Sequence, residues 1–182
     1  MVGKPALVAA PPPGTSERKQ TVSPDRAHRI SVVRKYLVYS LMGHLAWEIG
    51  QLPLYTIFWD APAEETAFAV FHCTAGDLLI AASTLALGYL VAGRARWPWV
   101  RAAYLRVAIV SVVLGIAYTV FSEWLNTAVR ESWAYMPAMP LIPVLEVGLT
   151  PVLQWLVVPL VALRLTALRA DLPRAPSDGA PT

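Results

Sequence analysis

The chain has 182 residues, of which 56% are hydrophobic and only 15% charged, with a mean hydropathy of +0.49. Soluble domains run near a quarter charged, so this balance argues against a water-soluble globular protein and for an integral membrane protein. The net charge of +3 comes from basic residues flanking apolar runs; it is a topology signal and implies no nucleic-acid partner.

Residues 1–29 hold Pro11-Pro12-Pro13-Gly14 and a Ser/Thr/charged run, a composition that cannot bury a core and predicts a disordered, basic, proline-rich tail. The apolar run Ala6 to Ala10 is shorter than the roughly 7 residues a signal-peptide core needs, so the first span is expected to be its own anchor. Four stretches approach or exceed the roughly 20 apolar residues that cross a bilayer: about 36–58, 66–92, 100–125 and 141–165. They predict an all-α, polytopic four-transmembrane-helix bundle over residues 30–168, followed by a second disordered tail over 169–182. Small residues at intervals of four, Ser111, Gly115 and Thr119 with Thr84 and Gly88, predict close helix packing, and Pro143, Pro151 and Pro159 predict a bent fourth helix.

Fourteen of the fifteen Lys and Arg residues precede span one, surround the connection between spans two and three, or gather at and beyond the end of span four, leaving Arg130 on the other side. Both termini are therefore expected in the cytoplasm, with the protein in a bacterial inner membrane. The single cysteine, Cys73, excludes an intrachain disulfide and reads as a packing residue.

Within span one, Ser40, His44, Glu48, Gln51 and Tyr55 fall on one helical face. Such residues are costly in hydrocarbon, face the bundle interior, and mark ligand sites or proton paths. Span two adds His72 and Asp77, span three Tyr118, Ser122, Glu123 and Asn126, and span four Glu146, Thr150 and Gln154. Together they predict one cavity in the middle and outer half of the bundle. Bland readings stand beside this one: His44 and Glu48 as a structural pair one turn apart, His72 as a packing residue, Glu123 and Asn126 as interfacial groups. Trp59, Trp97, Trp99 and Trp133 fit an interfacial aromatic belt, whereas Trp47, Trp124 and Trp155 either face the cavity and hold a cationic or π-rich ligand or serve as lipid-facing or packing residues.

Haem fits poorly, because His44 and His72 lie about 12 and 21 Å from the cytoplasmic side and axial ligands need nearly equal depth. A metal held by His44, Glu48, His72 and Asp77 has acceptable ligand types but no binding spacing to fix it, so no metal and no cofactor is expected. What remains is acid–base chemistry on an apolar substrate, with His44, Glu48, Asp77 and Glu123 as the catalytic candidates. Trp47, Gln51, Tyr55, His72, Tyr118, Asn126, Glu146, Gln154 and Trp155 are the ligand-binding candidates. An acid and a base on neighbouring helices can protonate one carbon of a double bond and deprotonate another.

The pieces His44-Leu-Ala-Trp-Glu48, Asp77 in the next helix and Gln154-Trp155-Leu-Val-Val-Pro159 in the last resemble the EXPERA superfamily, the four-helix membrane domain of the emopamil-binding-protein sterol isomerases. The resemblance implies a lipid cavity for sterol or isoprenoid ligands and an intramembrane isomerase. Asp77 departs from the isomerases' Glu, and Gln154 from their Asn. The rival expectation is a non-catalytic accessory or assembly subunit of a larger membrane complex, in which polar groups supply interhelical hydrogen bonds. The expected partners are membrane lipids, an apolar small molecule, and further copies of the chain or a complex partner.

Overall fold

The computed structural model describes residues 24–93 and 97–169, and 81% of them are helical. Four long helices carry the architecture: α1 Pro24–Gln51, α2 Ala63–Gly88, α3 Arg101–Trp124 and α4 Leu149–Arg169. They form a ring in which each packs mainly on two neighbours, α1 against α2 and α4, α3 against α2 and α4. One end of the ring is basic: Lys35 Nζ donates to the Arg169 carbonyl that ends α4 (2.6 Å), and Arg29 donates to Tyr89 (2.9 Å) while lying 4.4 Å from the centre of the Trp99 ring. The other end is capped by residues 52–60 and 130–148.

Helix α1 begins earlier than expected. Pro24 suits a first helical position and Asp25 complements the N-terminal dipole, and nothing from Arg26 to Lys35 breaks the helix, so the expected tail boundary at residue 29 moves back. Residues 1–23 lie outside the described residues, as do 94–96 and 170–182, where the second expected tail falls. The first span also ends sooner. Pro53 tightens Leu52–Leu54 into a 3-10 turn, and Tyr55 leaves the helix in extended conformation.

The fourth span is shorter than expected as well. Residues 141–148 are a hairpin, with β1 Leu141–Ile142 antiparallel to β2 Val147–Gly148, pairing Leu141 with Gly148 and Ile142 with Val147. Pro143 disfavours helix at this point, and the turn holds Val144 and Glu146 at positive φ (72° and 54°). A β-branched residue in that region is strained, and Val144 is 97% exposed. Of the three prolines, Pro151 falls in the first turn of α4, where proline is tolerated, and only Pro159 lies in its interior. Spans two and three match α2 and α3, each lengthened by a π-type turn, Tyr89–Gly93 and Leu125–Val129.

Three helices among the described residues are long and apolar enough to cross a membrane: Ala63–Ala92, Arg101–Val129 and Leu149–Arg169. Their outward faces expose large apolar side chains such as Phe68, Leu79, Ile109 and Val161. Helix α1 is equally long but carries Arg26, Arg29, Arg34 and Lys35 in its first half.

The apolar core lies toward the basic end, where Val32, Tyr36, Leu85, Tyr104, Val107 and Leu163 are buried together. Close helix approach accounts for it. A Cβ at Gly88 would meet the Val107 carbonyl and Ser111 Oγ at 2.9 Å, and Ser111 Oγ donates into α2 at the Thr84 carbonyl (3.1 Å). Gly115 faces the Trp155 indole so closely that a Cβ would stand 2.1 Å from it.

Candidate functional site

Toward the capped end the interior changes from apolar to polar. Gln154 on α4, 2% exposed, stands at its centre. Its Nε2 lies 3.0 Å from His44 Nδ1, 3.0 Å from Glu48 Oε1 and 2.9 Å from Asp77 Oδ2. Its Oε1 accepts from Gln51 Nε2 (3.2 Å), which also donates to Glu48 Oε1 (3.1 Å). Trp47 Nε1 donates to Gln51 Oε1 (3.2 Å) and Trp155 Nε1 to Asp77 Oδ1 (3.2 Å). Helices α1, α2 and α4 thus meet at a single side-chain amide.

Counting hydrogens constrains this cluster. A primary amide nitrogen has two hydrogens, yet three acceptor-type atoms surround it. The count closes when His44 carries its hydrogen on Nδ1, because Asp77 Oδ2 lies 3.4 Å from that nitrogen. In this tautomer Nε2 is left with a lone pair. The imidazole is held from its other face by Trp155, with ring centres 4.9 Å apart.

A second polar centre lies nearer the cap. Glu123 on α3 accepts from Tyr55 (3.4 Å) and, through the same oxygen, from Tyr135. The Tyr135 oxygen in turn accepts from the Gly148 backbone N–H (2.9 Å). Burial, with Glu123 alongside, pushes the Tyr135 hydroxyl well above the usual phenol range, so it remains a neutral donor. Backbone bonds hold this tyrosine in place: Thr56 N–H donates to the Ala134 carbonyl (3.0 Å) and Met136 N–H to the Leu54 carbonyl (2.9 Å).

Between the two centres lies a cavity of about 320 Å³. Glu48, Asp77, Gln154 and Trp155 line one side and Tyr55 and Glu123 the other. Gln51, Asn126, Tyr118 and His72 also border it. Tyr118 is 49% exposed and His72 is exposed, its ring stacked on Phe68, so the cavity reaches the outer surface between α2 and α3. Asn126 donates to the Ser122 carbonyl (2.8 Å).

Three candidates sit differently from expectation. His44 lies behind Gln154 and Asp77, fully buried and outside the cavity lining, so it acts on the acids and does not touch the cavity's contents. Trp47 holds Gln51 from outside the lining. Glu146 is exposed in the hairpin turn and takes no part, because the segment expected to be helical is a β-turn. Sequence reasoning missed Tyr135 altogether, and at Gly115 it expected close packing without naming Trp155 as the ring for which the missing side chain makes room.

No family model matches the chain, and neither a curated protein nor a solved structure is significantly similar to it.

Proposed function

We propose that the chain is a four-helix protein of a bacterial inner membrane, with both termini in the cytoplasm, whose cavity binds a lipid-like ligand of the sterol or isoprenoid class and isomerises a double bond in it. The observation that carries this reading is the position of the cavity. It holds three carboxyl groups, opens between α2 and α3, and is closed at one end by the folded cap, so its natural access is sideways from lipid. The distribution of basic residues supports the orientation. The pieces that resemble the EXPERA domain, His44 with Glu48, Asp77, and Gln154 with Trp155, meet in one network, which supports the family reading.

Its volume is near the lower end of the ~300–1,000 Å³ usual for ligand pockets. The cavity therefore encloses the reacting end of a long ligand and leaves the remainder in the bilayer. Glu48 and Asp77 face Glu123 across it, so a carbon–carbon double bond lying between them has a proton donor on one side and an acceptor on the other.

Native mass spectrometry of gently solubilised protein tests the reading, with wild type beside Glu48→Gln and Asp77→Asn. A discrete sterol or isoprenoid retained by the wild type and lost in both variants is expected. Cys73 borders the cavity and is the chain's one cysteine, so a fifteen-carbon isoprenoid alcohol should also slow its reaction with a maleimide. An empty protein bound to a stoichiometric partner, indifferent to both substitutions, would overturn the pocket and leave an assembly subunit.

A further inference from the structure

Helix α1 carries a row of polar groups that the acid network does not use. Tyr36 is 1% exposed, and Ser40 and His44 are 0% exposed. The Tyr36 hydroxyl, the Ser40 hydroxyl and His44 Nε2 have no hydrogen-bond partner among the described residues. They follow one another at single-turn intervals on one face. The Tyr36 hydroxyl faces Ser40, but the pair stops short of hydrogen-bond geometry. Buried polar groups are nearly always satisfied by protein or by internal water, so three consecutive exceptions need an explanation.

The spacing supplies one. Ser40 and His44 are separated by about 6 Å of helical rise, close to the reach of two successive hydrogen bonds through one water. Helical side chains lean toward the N-terminus, which brings the His44 ring back over the turn that holds Ser40. The lone pair left on Nε2 by the hydrogen count is the acceptor such a water needs.

Both ends of the row are defined. Tyr36 follows Lys35, whose Nζ reaches the Arg169 carbonyl at the end of α4, so it lies just inside the basic end of the bundle. His44 is met by Glu48 on its own helix, by Asp77 from α2, and by Gln154 and Trp155 from α4. On the basic side of Asp77, α3 brings Tyr104 into the cluster that holds Tyr36, but its hydroxyl is engaged by the Leu163 carbonyl (2.7 Å), so the polar steps are those of α1 itself.

We infer that Tyr36, Ser40 and one internal water held between Ser40 Oγ and His44 Nε2 form a proton-transfer row joining the acid cluster to the basic end of the bundle. A proton taken up by the Tyr36 oxygen displaces that residue's own proton to Ser40. Ser40 passes its proton to the water, and the water passes one to Nε2. The imidazole then releases its Nδ1 proton to Asp77 Oδ2, remaining neutral as the other tautomer, and a flip of the ring with rotation of the two hydroxyls resets the row without carrying the proton back. Each member gains one proton and loses one, so charge changes only at the two ends. The Tyr36 hydroxyl is itself buried, so a further water joining it to the basic end completes the path by which the acids are reprotonated while the cavity is filled by an apolar molecule, and the path does not depend on what that molecule is.

The test is nitrogen-15 NMR of histidine-labelled protein in lipid nanodiscs, reading water contact and proton exchange at His44 Nε2. The half-buried His28 and the exposed His72 serve as references. A water correlation to His44 Nε2 is expected in the wild type. Ser40→Ala should abolish it, Ser40→Thr should restore it, and Tyr36→Phe should keep it while slowing exchange by roughly an order of magnitude. A dry Nε2 in the folded wild type, or exchange unchanged in both Ser40→Ala and Tyr36→Phe, would overturn the row. Lipid retention measured on the same samples separates the two readings: its absence with exchange intact counts against the pocket alone.

Discussion

At the basic end the four helices touch through apolar side chains, and at the capped end the same helices meet through hydrogen bonds around an open space. The packed half depends on small residues that let backbones approach, Gly43 under Val158 and Gly88 against Val107 and Ser111. Contact of that kind is what holds helices together where lipid is as apolar as leucine. In the other half Glu48, Asp77, Glu123 and Gln154 stand where a core would be, and a cavity of about 320 Å³ remains. Hydrogen bonds hold this half, in surroundings where little water competes for them. A cavity exists because close packing was given up at one end and kept at the other, and Trp155 joins the two. Its ring belongs to the apolar cluster, and its Nε1 belongs to the acid network.

The strongest way to break this contrast is Gln154→Leu. The substitution removes the one side chain that donates to both Glu48 and Asp77 and leaves two buried carboxyl groups without it, at about 1–3 kcal/mol for each. Thermal unfolding in detergent should fall accordingly, and retained lipid should be lost. If stability stays within about 0.5 kcal/mol of wild type, the level of an ordinary surface change, the amide is not what holds the capped half together.

Gly115→Ala probes the joint. Its new methyl would stand 2.1 Å from the Trp155 ring, so the indole must move, and overpacking of this sort costs about 1–3 kcal/mol. Because Trp155 donates to Asp77 and covers His44, the displacement should reach the polar half, lowering both the melting temperature and lipid retention. A melting temperature that falls while retention is unchanged would show that the two halves are energetically separate.

The sequence already contains much of this contrast. The stripe from Ser40 to Tyr55 is legible because helical periodicity and the cost of burying polar groups in an apolar run point the same way, and Asp77 and Gln154 stand out for the same reason. Periodicity does not say which side of a cluster faces the cavity, so His44 reads as a residue that touches ligand when it lies behind the acids. Small-residue spacing predicts close approach at Gly115 without naming Trp155 as the neighbour. The stretch from Leu141 to Gly148 is apolar enough to read as helix, and only the turn around Pro143 and Val144 makes it a hairpin. Tyr135 was invisible because it sits in a short loop, twelve residues past Glu123, and reaches the site through a backbone pairing with Tyr55 that no local pattern encodes.

That loop contact offers the finest adjustment. Tyr135→Phe keeps the ring and removes the hydroxyl that donates to Glu123 and accepts from Gly148, leaving Tyr55 as the hydroxyl donor on that carboxyl. A hydrogen bond to a charged or buried partner contributes about 1–3 kcal/mol, and because the tyrosine is partly exposed the loss should fall near 1 kcal/mol, the lower end of that range. Glu146→Gln, in the same cap but pointing away from the cavity, should stay within about 0.5 kcal/mol. The informative readout is the rate at which maleimide reaches Cys73. If Tyr135 ties the cap to Glu123, its loss loosens the closed end and labelling by a water-soluble maleimide accelerates, while Glu146→Gln leaves the rate alone. Equal rates in the two variants would mean that the cap is held by its backbone bonds to residues 54–56, and that Tyr135 orients Glu123 without closing the cavity.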